Sequence, residues 1–196
     1  MSKNINWFDF NYPPALRIVH INIKELDEDK RTSASFSHFT FLTTVAAICF
    51  NLFTNLILMF GLRDFQPKGW FLFISSFLIA IMVLPLGLYL FYSCFRALAF
   101  SCSSRALKYI LLQTAVNVLY ILFATSSFRN FQGFSNWSRA GLSNMSVFWR
   151  LTTIIESSIW IITFVLSVIS CILVYRCQLS SRVKVAKSAV ALRNIL

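Results

Sequence analysis

The chain has 196 residues, 57% of them hydrophobic and only 13% charged, with a net charge of +11. A soluble domain carries roughly 25% charged residues, so the composition excludes an ordinary globular protein in water. The positive charge does not point to nucleic acid either, because the basic residues gather at the ends of apolar segments and form no face interleaved with aromatics.

In chain order, residues 1–38 read as a polar N-terminal segment with no apolar leader core, so the first span is expected to direct insertion and stay in place. Tyr12-Pro13-Pro14 predicts an extended break. The alternation from Arg17 to Leu26 fits either a strand or a stretch lying on the bilayer surface. Four apolar runs follow, at about 39–62, 70–92, 107–125 and 151–175. A helix needs about 20 apolar residues to cross the hydrocarbon core, and each run is close to that. The expected fold is an all-α membrane protein, a four-transmembrane-helix bundle with short loops, over residues 39–176. Arg63–Gly69, with Pro67 and Gly69, is a tight turn that pairs the first two spans. Pro85 lies inside the second span and is expected to kink it. Trp70, Trp149, Tyr92, Tyr109 and Tyr175 fall where an aromatic belt would sit. The longest connection, Ser126–Arg150, carries two glycosylation patterns, at Asn136 and Asn144. The tail, 177–196, is basic and reads as a surface helix or a flexible extension.

Charge sets a direction. Lys and Arg number thirteen across the N-terminal segment, the second connection and the tail, against five in the first and third connections. The positive-inside rule then puts both termini and the second connection in the cytosol. None of the five cysteines falls in a predicted lumenal loop, so no disulfide framework is expected.

Chemistry has few places to sit. There are seven acidic residues and two histidines, and His20 and His38 have no partners at metal-ligand spacing. No phosphate loop or nucleophile motif is present, so neither enzyme activity nor a metal or other cofactor is expected. The polar exceptions inside the spans carry more. Asn51 and Asn55 share a helix face, as do Gln113 and Asn117, and Glu156 lies in the fourth span near enough its lumenal end to reach interfacial water or Arg150. An ionisable group within a span suggests an ion path; amides there also join helices by hydrogen bonds. Both readings fit, the first giving a small transporter or channel subunit. Arg96, Arg105 and Lys108, with Phe95, Leu98 and Phe100 between them, suggest a segment lying on anionic headgroups. Cys94, Cys102 and Cys177 are juxtamembrane candidates for palmitoylation.

Several of these residues stand in a familiar order. Tyr12-Pro13-Pro14, then His20-Ile21-Asn22-Ile23-Lys24-Glu25-Leu26, then Asn51-Leu52, then Pro85 followed seven residues on by Tyr92, resemble the secretory carrier-associated membrane protein (SCAMP) family from about Tyr12 to Tyr175. That family pairs a second-span Pro with an aromatic-Tyr-Arg-Pro motif; here Ser93-Cys94 replace Arg-Pro, and only Arg96 of the following loop carries over. The Asn-Pro-Phe repeats of larger members are missing. The resemblance implies vesicular trafficking in the Golgi, endosomes and secretory vesicles, exocytosis included. The partners it implies are membrane lipids, phosphoinositides among them, and trafficking proteins, with homo- or hetero-oligomers open.

Overall fold

The computed structural model describes residues 5–61, 66–126, 131, 133–141 and 146–193. Four long helices dominate: α1 (Glu28–Gly61), α2 (Gln66–Ala99), α3 (Ser103–Thr125) and α4 (Ser146–Arg193). Each contains a stretch long and apolar enough to cross a membrane. α1 packs on α2 and α4, and α3 packs on α2 and α4, so the helices close a four-membered ring in chain order.

All four helices run beyond the spans that hydropathy predicts, α3 by the least. α1 begins at Glu28, where Glu28 and Asp29 place negative charge on the helix N-terminus. Its first turns are polar, yet nothing in them breaks a helix. α2 begins at Gln66, so Pro67 and Gly69 belong to its first turns rather than to a loop; Pro is tolerated there because early helical N–H groups have no partner to lose. The second connection shrinks to Phe100–Cys102. α4 runs 48 residues to Arg193, so the basic tail is the same helix continued, not a separate surface element. α2 stays helical through Pro85, and two residues on Gly87 receives the ring of Phe41.

Residues 5–26 form neither a strand nor a free surface segment. Tyr12 and Val19 exchange backbone hydrogen bonds of 2.9 Å around a turn, and a short 3-10 turn follows at Ile23–Glu25. His20, Ile21 and Leu26 are buried, and the Tyr12 ring meets Phe41 and Phe91 of the bundle. At the opposite end a 3-10 segment, Phe134–Gly141, packs on α4, with Phe131 stacked on Phe123. Trp70 and Tyr175 face outward as belt residues would, whereas Trp149 and Tyr109 turn inward and are buried.

α1 and α2 approach closely at Gly69. A Cβ there would stand 2.9 Å from the Met59 Cα and 3.1 Å from the Leu58 carbonyl oxygen, both backbone atoms that cannot swing aside. Gly69→Ala should therefore destabilise the hairpin by about 1–3 kcal/mol, read as a lower unfolding midpoint of the detergent-solubilised protein; an unchanged midpoint would contradict the close crossing.

Candidate functional site

Two polar assemblies are built into this frame. The first is a seam along the bundle axis. Ser33, Ser37, Thr40, Thr44, Asn51 and Asn55 on α1 recur at spacings of three, four or seven residues, as do Thr153, Glu156, Thr163, Ser167 and Ser170 on α4. That spacing keeps them on one face, and all are buried. They meet partners on other helices. Asn51 Nδ2 donates to Glu156 Oε1 at 2.8 Å, and Asn55 Nδ2 to Ser76 Oγ at 2.8 Å. Ser167 Oγ bonds Asn117 Oδ1, and Gln113 Nε2 reaches the same oxygen at 3.4 Å. Two tyrosines span the middle: Tyr120 joins Thr44 at 3.1 Å, and Tyr109 joins Ser170 at 2.8 Å and Ser37 at 3.5 Å. The hydroxyls of Thr40 and Thr163 return to carbonyls one turn back, those of Phe36 and Ile159.

The five intramembrane residues singled out from sequence thus lie in one seam. Glu156 differs from expectation in position: its side chain is completely buried and bonded to Asn51, not extended to interfacial water. Hydropathy hid the Ser and Thr members, because single hydroxyls barely lower a window average. Their three-and-four spacing was the available signal.

The second assembly lies where α2 turns into α3. Arg96, Arg105 and Lys108 line a cavity of about 350 Å³ with Tyr89, Tyr92, Ser93, Tyr109 and Leu112. Its lining holds three cations and no carboxylate. The Arg96 guanidinium carbon is 5.5 Å from the Tyr92 ring centre and 5.9 Å from that of Phe100, and the Arg105 guanidinium carbon is 4.5 Å from Phe100. These are cation–π distances. The segment is not laid flat on lipid: Phe95 and Leu98 are fully buried within the protein, and of the three apolar residues only Phe100 is exposed. Part of that cover comes from the N-terminal segment, whose Trp7 stacks on Phe100.

A clasp holds the N-terminal segment in place. His20 Nδ1 bonds the Asp9 carbonyl at 2.7 Å and Nε2 bonds Glu25 Oε2 at 2.8 Å. Asn22 Nδ2 steadies the other Glu25 oxygen at 2.9 Å. Nearby, Lys30 Nζ donates to Asp27 and to Ser101 Oγ in the α2–α3 turn. Burial works to lower the His20 pKa, but the Glu25 carboxylate and the Asp9 carbonyl outweigh it and raise it above the ordinary 6.5. Sequence reading noted His20 only as a residue without metal partners; its contacts with Asp9 and Glu25 depend on how the segment folds.

The modification candidates separate by burial. Cys94 is fully buried among the helices and offers no thiol to an acyl donor. Cys177 is half-buried, with Sγ 3.3 Å from Ser33 Oγ. Cys102 sits half-exposed at the start of α3, where the Arg105 backbone N–H lowers the thiol below its ordinary value. Asn136 is buried and its amide nitrogen donates to the Phe131 carbonyl at 3.0 Å. Asn144 lies outside the described residues.

A family model described as the SCAMP family matches residues 9–181. No curated protein and no solved structure matches the chain.

Because the folded pKa of His20 is raised, the clasp contributes its full stability below pH 6.5 and loses it as pH rises through the folded value. Amide exchange across residues 5–26 should therefore be slowest at mildly acidic pH, after correction for intrinsic rates. His20→Gln should abolish that dependence; a pH-independent wild type would refute the clasp.

Proposed function

The chain belongs to the SCAMP family, which makes it a multi-pass membrane trafficking protein, and we propose that it acts in post-Golgi and endosomal recycling through lipid and protein contacts of its cytosolic end. In this reading both termini and the α2–α3 turn face the cytosol, and the cavity there takes a phosphoinositide headgroup. The observation that carries it is the lining: Arg96, Arg105 and Lys108 converge with three tyrosines and no carboxylate. Arginine forks and a lysine point charge suit phosphate oxygens, and cations at an anionic leaflet gain about 1 kcal/mol each. The mechanism is physical rather than catalytic: the bundle holds a cationic aromatic surface at the leaflet and recruits partners there. What favours this over ion transport is the pairing of the intramembrane amides and Glu156 with groups on neighbouring helices. Golgi, endosomal and secretory-vesicle membranes, with the plasma membrane reached by exocytosis, are the proposed stations.

The test combines binding and imaging. Full-length protein in phosphatidylcholine nanodiscs should bind short-chain phosphatidylinositol bisphosphate, and Arg105→Ala with Lys108→Ala should weaken that binding at least tenfold. The same pair should shift a tagged protein away from endosome markers in cells. Undiminished binding by the double variant would remove the cavity from the function.

S-acylation of the cytosolic face is proposed at Cys102, a half-exposed thiol in the α2–α3 turn whose pKa the Arg105 backbone N–H lowers. Acyl-exchange labelling should fall in Cys102→Ser and persist in Cys94→Ser; the reverse pattern would exclude Cys102.

A further inference from the structure

Trp7 is remote in sequence from every residue of the cavity, yet it packs against one of them. Its ring is stacked on Phe100, with centroids 5.0 Å apart and planes 12° from parallel, and meets Phe95 edge-on at 5.9 Å. The Arg96 guanidinium carbon stands 6.0 Å from the indole centre. With Tyr92 and Phe100 at similar distances, three rings surround one cation. Two of them belong to α2 and its turn. The third arrives only when residues 5–26 fold back over the bundle.

An arginine side chain has several freely rotating bonds, and a partly exposed one samples many positions unless something confines it. Arg96 Nε is buried and makes no hydrogen bond within the protein, so ring contacts must supply the confinement at that atom. Trp7 itself does not line the cavity. Its influence on a ligand there can run only through the residues it touches. The clasp fixes where Trp7 stands: His20 holds the Asp9 carbonyl two residues on, and Trp7 meets the His20 ring edge-on at 6.0 Å.

We propose that Trp7 is a positioning residue of the headgroup site, holding the Arg96 guanidinium against the cavity wall, so that the N-terminal segment is part of the binding site rather than a leader before it. This rests on the headgroup reading above. It separates two arginines that otherwise look alike. Arg96 meets Trp7 directly, whereas Arg105 meets Phe100 and is one ring removed from Trp7.

The experiment titrates short-chain phosphatidylinositol bisphosphate, and in parallel free inositol trisphosphate, into full-length protein in phosphatidylcholine nanodiscs. Trp7→Ala should weaken lipid binding about threefold to tenfold, the range of a partly exposed cation–π contact, and Trp7→Phe should recover most of it. In an Arg96→Ala background Trp7→Ala should add nothing; in an Arg105→Ala background it should keep its full effect. Equal losses in both backgrounds would make Trp7 a general structural prop and overturn the proposal. Tighter binding of inositol trisphosphate than of the lipid would assign the site to soluble phosphates instead of lipid. A second measurement needs no lipid: phenylglyoxal modification of Arg96, followed by peptide mass spectrometry with Arg105 as internal reference, should speed up at least threefold in Trp7→Ala. An unchanged rate sinks the positioning role outright. A faster rate in a protein that binds no phosphoinositide would keep Trp7 on Arg96 and overturn the headgroup reading alone.

Discussion

The hydrogen bond from Asn51 to Glu156 stands for the constraint on which the rest of the bundle depends. In hydrocarbon a polar group without a partner costs several kcal/mol, because no water replaces the missing bond. Seam residues on α1, α3 and α4 therefore have one acceptable direction, inward. Turning any one of these helices by a quarter would put amides or hydroxyls into lipid and apolar side chains into the seam. Each bond is worth only about 0.6–2 kcal/mol, but their joint effect is to set rotation and register. Lipid tails are as apolar as Leu and cannot make that choice.

The same seam ties the membrane interior to the α2–α3 cavity. Tyr109 lines the cavity with its ring while its hydroxyl joins Ser170 and Ser37. The cationic residues near the turn thus share the cavity wall with a tyrosine anchored to α1 and α4, and Arg96 also meets Trp7 of the clasped N-terminal segment. The cavity lining comes from α2 and α3, with the clasped residues 5–26 packed behind Arg96.

Much of the architecture was readable from the chain. Runs of about 20 apolar residues located four spans, and the sparse polar exceptions within them marked the axis. The helix ends were less readable, since residues such as Arg31, Thr32 and Ser33 lower hydropathy without opposing helix formation. The α2–α3 turn was misread for a different reason. Phe95 and Leu98 needed cover, and a sequence does not say whether lipid or protein supplies it; here protein does. The part played by Trp7 and His20 was hidden because both act through contacts long-range in sequence. Pairs such as Trp7 with Phe100 leave no periodic trace.

The contact between Lys30 and Ser101 joins residues 71 positions apart. At about 5–20 residues per second, the ribosome needs roughly 4–14 s to make that stretch. Residues 5–26 are made before α2, but the surface they dock on exists only after α2 has been inserted and the turn beyond it has emerged. During biosynthesis the N-terminal segment must wait, its Trp7 without the Phe95 and Phe100 rings it will meet, while the helices that will receive it are threaded into the bilayer. A segment synthesised ahead of all four helices is thus settled only once α2 and its turn are in place.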